Sequence, residues 1–304
     1  MTKLSKTLIV IAGPTAIGKT GLAINVANFF STEILSADSR QFYCEMAIGT
    51  AKPTPDQLSR AKHHFVDFLP VSEFFSAGDF EQQGLELLNQ LFASHDVVVM
   101  TGGSGLYIRA LCEGFDRFPD IDPKYREELN IQIETKGLGS LLEELLEKDP
   151  EYYASVDKAN PQRIVRALEV CRATGKAYSS FRSKRQHTRS FNIIKIGLDM
   201  DREQLYHNIN QRVDEMMQSG LLEEVKQLLP YRKFNALQTV GYTELFEYLD
   251  GKTSLEQAVE NIKQNTRNYA KRQLTWFRKE PGIIWFSPFQ KEEIMDHIRS
   301  MLCK

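Results

Sequence analysis

Cysteine is scarce in this 304-residue chain, and its four copies, Cys44, Cys112, Cys171 and Cys303, stand far apart. That scatter excludes the dense disulfide framework of a small secreted domain and the paired ligands of a structural zinc site. Long apolar runs are missing too. After a charged opening the first such run covers only Thr7–Ala12, too short for a signal segment or a membrane span. The expectation is a cytoplasmic protein in a reducing compartment, without export, membrane attachment, structural metal or an obligate protein partner. The adjacent pair His63-His64 has no third ligand at metal spacing and reads as packing or hydrogen bonding. A net charge of one sign is absent as well, the formal balance being −2, but this conceals a segregation. Residues 120–157 carry eleven acidic and four basic side chains, whereas residues 158–189 carry nine basic and one acidic, a swing from −7 to +8. Such a basic block is either a solvated surface or the footprint of a polyanion.

What is present is enough apolar content, 42%, to bury a core and fill one large domain plus a smaller one. Thr7–Ala12 is a short continuous apolar run, followed by a glycine-rich turn and a helical pattern over 19–30 with Leu22, Val26 and Phe29 on one face. Residues 33–37 and 97–101 are the next strands, the latter entering Gly102-Gly103-Ser104-Gly105 and a helix to Leu111. Strand, small-residue loop and helix in that order predict a buried parallel sheet with ligands at the carboxyl ends of its strands. From Asp116 the pattern breaks into prolines, aspartates and then helices only. The runs at 193–198 and 283–286 resume the sheet, with helices at about 202–220 and 254–279 capped by Asp201 and Ser254.

The sequence Gly13-Pro14-Thr15-Ala16-Ile17-Gly18-Lys19-Thr20 matches the phosphate-loop pattern, and it lies between a strand and a helix as that motif requires. In it, backbone amides and a helix amino terminus cradle phosphate oxygens, Lys19 holds terminal oxygens and the Thr20 hydroxyl reaches Mg²⁺. The fold class expected is therefore α/β, a P-loop NTPase-like parallel sheet with an inserted all-helical domain. Residues 1–117 form the first part of the core, 118–189 the insertion and 190–304 the second part. The place where a nucleotide hydrolase would carry an acidic magnesium ligand, just after residues 97–100, holds Thr101. The loop thus specifies phosphate, whether of a nucleoside triphosphate such as ATP or of a diphosphate leaving group.

Asp38 follows the second strand and reaches the same crevice as a turn cap, a magnesium ligand or a general base. Arg212 falls on the stripe of Leu205, Ile209 and Met216, either snorkelling to solvent or clamping an anion. Lys263, Arg267 and Lys271, at four-residue spacing, share a helix face near Arg272, Arg278, Lys279 and Trp276-Phe277. That face suits a nucleic-acid backbone and unstacked bases, or equally a basic helix with aromatics in the core.

Read in order, several further runs join the phosphate loop: Asp38-Ser39-Arg40-Gln41, residues 48–53, His63-His64, residues 102–107, residues 161–168, Val240-Gly241-Tyr242 and residues 271–276. Together they resemble the transfer RNA dimethylallyltransferases of the isopentenyltransferase group. The resemblance implies dimethylallyl diphosphate as donor and the exocyclic amine of the adenosine 3′ to the anticodon as acceptor. It implies Mg²⁺ as cofactor and the tRNA anticodon stem-loop as partner. Asp38 would then be the base, while residues 13–20 and Arg212 would hold the departing diphosphate. RNA contacts would come from Asp38, Ser39, Arg40, Gln41, Ser104, Arg126, Gln162, Arg163, Ile164, Val165, Arg166, Gln238, Thr239, Gly241, Tyr242, Lys271 and Arg272. The target base would be extruded from its stack, and the basic block would gain its polyanion.

Departures from the family pattern are Ile17, where Ser is common, and Gly21, where a bulkier residue is common; neither removes a phosphate contact. The end at Lys304, short of the zinc-finger extension of some eukaryotic relatives, suggests the compact bacterial type. Two rival readings remain from the residues alone: a small-molecule kinase using the same Lys19, Thr20 and Asp38, and an RNA-binding module with a vestigial loop.

Overall fold

The computed structural model describes residues 5–116, 118–182 and 188–303. Contacts divide the chain into two compact units, one of Met1–Glu113 with Thr188–Lys304 and one of Gly114–His187.

The first unit opens with β1 (Thr7–Ala12), α1 (Lys19–Phe29), β2 (Ile34–Ser36), α2 (Pro55–Arg60), β3 (His63–His64), α3 (Ala77–Ser94), β4 (Val97–Gly102) and α4 (Gly105–Glu113). The second unit contributes α5 (Lys124–Lys136), α6 (Leu138–Lys148), α7 (Pro150–Ser155) and α8 (Pro161–Thr174). The chain then returns through β5 (Asn192–Leu198), α9 (Arg202–Gln218), α10 (Leu221–Gln227), α11 (Tyr242–Leu249), α12 (Leu255–Phe277), β6 (Ile283–Phe286) and α13 (Lys291–Leu302).

The six strands form one parallel sheet in the order β3-β2-β4-β1-β5-β6. Every residue of β1 and β4 is buried, which is why these segments read as unbroken apolar runs rather than alternating ones. Register aligns the carboxyl ends: Ala12 lies opposite Gly102 and Gly197, and Ser36 opposite Thr101. Because β4 sits between β1 and β2, the turns after those three strands open at one edge of the sheet. This is where a ligand crevice belongs in such a topology. Two apolar clusters sandwich the sheet, one including Leu8, Val10, Val98 and Met100, the other Ile9, Ile11, Val99 and Ile196.

Ser254 and Asp201 do cap α12 and α9, the first accepting from Gln257 N at 3.2 Å, the second from Glu203 N at 2.8 Å and Gln204 N at 3.2 Å. The sequence pattern gave no sign of β3, a two-residue edge strand of histidines too short to show a period. His63 Nδ1 instead bonds the Ala61 carbonyl at 2.8 Å, and His64 Nε2 bonds Glu33.

The helical unit packs Leu129, Leu141, Leu145, Ile164 and Leu168 at its centre. Buried Asp149 organises its far end, accepting from Tyr152 N at 2.9 Å and from the Ser179 amide and hydroxyl at 2.6 and 2.8 Å. Residues 183–187 of the basic block lie outside the described residues. No helix among the described residues is long and apolar enough to cross a membrane.

Candidate active site

The loop between β1 and α1 takes the cradle conformation. Ala16 (φ 63°) and Gly18 (φ 94°) are both left-handed, which turns successive N–H groups toward one point at the amino terminus of α1. Glycine suits this backbone at 18, whereas Ala16 stores strain there, as residues at functional sites often do. Lys19 folds back over the loop and donates to the Pro14 carbonyl at 2.6 Å. Burial pulls its pKa down to about 7; Asp38 opposes that shift and Arg212 adds to it. Arg212 reaches the loop from α9, its Nη1 donating to Thr15 Oγ1 at 3.2 Å, and burial lowers its pKa as well. The buried stripe of α9 is Leu205, Ile209 and Val213, with Arg212 beside it. Arg212 is therefore turned inward rather than snorkelling.

Across the crevice, Asp38 Oδ1 accepts from Arg40 N at 3.1 Å, so the carboxylate does close a turn. Its second oxygen makes no hydrogen bond among the described residues. Ser39 N donates to Ser104 Oγ at 3.0 Å, and Ser104 N donates to Ala37 O at 3.2 Å, which joins the turns after β2 and β4. Tyr269 of α12, 36% exposed, stands at the same cavity near Asp38 and Ser104. Desolvation pushes its pKa up to about 12 and keeps it a neutral donor. These groups border one cavity of about 890 Å³, whose wall includes Lys19, Thr20, Asp38, Arg212 and Tyr269. Thr101, where a carboxylate would mark a nucleotide hydrolase, donates its hydroxyl to Ile11 O at 3.2 Å and ties β4 to β1.

The remaining expected site residues fall into four groups. Arg40 and Gln41 lie at the cavity, Arg40 donating to Asn235 at 3.4 Å and Gln41 to the Thr50 and Ala51 carbonyls at 3.2 and 3.1 Å. Gln162, Arg163, Gln238, Lys271 and Arg272 are exposed, and Thr239 and Gly241 line the cavity. Ile164, Val165 and Tyr242, in contrast, are buried as core. Their side chains pack the interior, and only their neighbours present polar groups. In the helical unit Arg126 and Arg166 converge on buried Glu169, at 2.8 and 3.2 Å.

The basic face of α12 is only partly available. Lys263 is paired with Asp214 at 2.8 Å and Arg267 donates to Asn210, so both are turned onto α9. Trp276 and Phe277 pack into the core. Nothing in the sequence singled out Tyr269 or Glu224 for the site, and Gln273 entered only as part of the run 271–276.

A family model described as IPP transferase matches residues 41–280. The chain belongs to the IPP transferase family. Among relatives of this family, it is 51% identical over 293 residues to tRNA dimethylallyltransferase 1 of Bacteroides thetaiotaomicron, covering 96% of this chain and 95% of that one. The tRNA isopentenylpyrophosphate transferase of Bacillus halodurans has a similar structure, with TM-score 0.73 and 36% identity over 98% of this chain and 97% of its own. A eukaryotic dimethylallyltransferase acting on tRNA superposes with TM-score 0.79 and 26% identity, covering 98% of this chain and 78% of that one. These IPP transferase structures share the parallel-sheet α/β architecture found here.

Proposed function

We propose that this chain transfers the dimethylallyl group from dimethylallyl diphosphate to N6 of the adenosine 3′-adjacent to the anticodon in tRNA. The products are N6-dimethylallyladenosine and diphosphate. The observation that carries this reading is that a phosphate loop and the Asp38 carboxylate line one cavity, with Thr101 where a hydrolase would carry its acid.

The exocyclic amine is a poor nucleophile because its lone pair is delocalised into the ring. Asp38, held by Arg40 N and with one oxygen left over, takes the N6 proton as the carbon–nitrogen bond forms. The bond from the allyl C1 to the bridging oxygen breaks, and its electron pair leaves with the diphosphate. The loop amides, Lys19 and Arg212 receive the developing charge. The Thr20 hydroxyl is a hard oxygen donor on the same cavity, which fits a Mg²⁺ ion retaining several waters. Bound there, Mg²⁺ would add charge neutralisation to the leaving group. Arg40, Ser104, Lys271 and Arg272 in the sheet unit, and Arg126, Gln162, Arg163 and Arg166 in the helical unit, are the groups we assign to the anticodon stem-loop, in the cytoplasm.

The test is to incubate the protein with Mg²⁺, radiolabelled dimethylallyl diphosphate and unmodified tRNA, then digest the RNA. Label on the adenosine beside the anticodon supports the reading. No label, with ATP consumed on a small acceptor in the parallel reaction, replaces it with a kinase.

A further inference from the structure

Gln273 sits on α12, 6% exposed, at a point where three separate stretches of chain meet. Its Oε1 accepts from the Thr15 amide of the phosphate loop at 2.9 Å, and its Nε2 donates to the Gly103 carbonyl, after β4, at 2.9 Å. The orientation of the amide is fixed by chemistry, since a backbone N–H can only donate and a carbonyl can only accept. The same two loops hold the two halves of the site. Thr15 also receives Arg212, and Ser104, next to Gly103, receives the Ser39 amide beside Asp38. A path of single hydrogen bonds thus runs from the diphosphate cradle through Gln273 to the turn that carries Asp38. There is no slack in it: a Cβ on Gly103 would lie 2.2 Å from Gln273 Nε2.

We propose that Gln273 is a positioning residue that sets the separation between the diphosphate cradle and the Asp38–Ser104 side, so that the donor carbon and the acceptor amine meet in line. This rests on the transfer reaction proposed above. The Thr15 N–H serves Gln273. Gln273 acts through the loops it ties and touches no reacting atom. A displacement of about 1 Å between reacting groups costs on the order of 100-fold in rate, while each half keeps its own ligand contacts.

The variants that separate this from a merely structural role are Gln273→Glu and Gln273→Met. Glutamate keeps the length and the acceptor for Thr15 but sets an oxygen against the Gly103 carbonyl. Methionine keeps the volume and loses both bonds. The expected result for both is a kcat lower by about 100-fold, with the Kd for inorganic diphosphate and the Kd for tRNA each within threefold of wild type. A kcat within threefold of wild type overturns the proposal, as does a loss of diphosphate and tRNA binding that matches the loss of rate. Amide hydrogen exchange gives a readout that does not depend on catalysis. In Gln273→Met exchange should quicken at least tenfold at both Thr15 and Ser104, and in Gln273→Glu at Ser104 with Thr15 still protected. Unchanged exchange overturns the proposal even if wild-type protein labels tRNA. A wild type that labels no tRNA but shows this exchange pattern removes the proposed reaction and leaves the tie between the loops standing.

Discussion

The Tyr242 hydroxyl donates to Glu224 Oε1 at 2.6 Å, and the same carboxylate accepts the amides of Ala47, Ile48 and Gly49 at 3.0, 2.7 and 3.0 Å. Burial, reinforced by the Glu224 charge, drives the tyrosine pKa far up and keeps it a donor. Glu224 therefore fixes a segment that lines the cavity without touching the ligand cradle. Glu224→Ala leaves three amides and a buried hydroxyl without their acceptor, at a cost of about 1–3 kcal/mol. Thermal denaturation should show a lowered midpoint. Gly49→Ala should do the same by a different route, since its Cβ would lie 2.6 Å from the Tyr242 ring. A midpoint unchanged in both variants would show that the segment is not anchored here.

Lys19 makes diphosphate binding pH-dependent. Its pKa of about 7 lies below the ordinary lysine value of 10.5, because burial disfavours the charge. Between those two values the unfolded chain holds a proton that the folded free protein lacks, so this residue's contribution to stability rises with pH across that window. A bound diphosphate restores the charge, so binding above about pH 7 takes up a proton. Calorimetry at pH 8 in buffers of different ionisation enthalpy should record more proton uptake for wild type than for Lys19→Met. Equal uptake by the two proteins counts against the assignment.

Asp38→Asn keeps the size and the acceptor for Arg40 N but cannot take a proton. Loss of a positioned base costs about 10²–10⁴-fold in rate. The expectation is a fall of that size in single-turnover transfer, with tRNA affinity within a fewfold of wild type. A fall in affinity as large as the fall in rate would instead make Asp38 a binding residue.

In the helical unit, Glu169 is 5% exposed and holds both Arg126 and Arg166. If those arginines meet phosphates, Arg126→Ala should flatten the plot of log affinity for tRNA against log salt by about 0.7–0.9. Glu169→Ala should lower stability by about 1–2 kcal/mol, since it leaves two half-exposed guanidiniums unpaired. A salt slope unchanged in Arg126→Ala removes that residue from the RNA contacts.

The phosphate loop was legible in the sequence because its chemistry sits in eight successive residues, 13–20, and the loop conformation follows from local steric rules at Gly18. The strands β1 and β4 were legible for a related reason: burial on both faces leaves unbroken apolar runs. Asp38 could be placed because it stands just beyond a strand, and Ser104 through the family resemblance. Periodicity, by contrast, says which residues share a helix face, not what covers that face. The sequence left Lys263 and Arg267 open between a nucleic-acid surface and an ordinary basic helix, and α9 supplies Asp214 and Asn210 beside them. Tyr242 carries a motif residue's identity and a core residue's burial, and only the packing of Gly49 and Glu224 around it decides between them. Gln273 and Thr15 are 258 positions apart, and no local pattern connects a helical glutamine to a loop amide at that distance. The sequence by itself therefore determined the cradle, whose residues are near neighbours in the chain, and the apolar runs that become β1 and β4, although the pairing of those runs joins distant segments. The tertiary structure alone decided how the cradle is held opposite Asp38, because that spacing comes from hydrogen bonds made through space after the helices have packed.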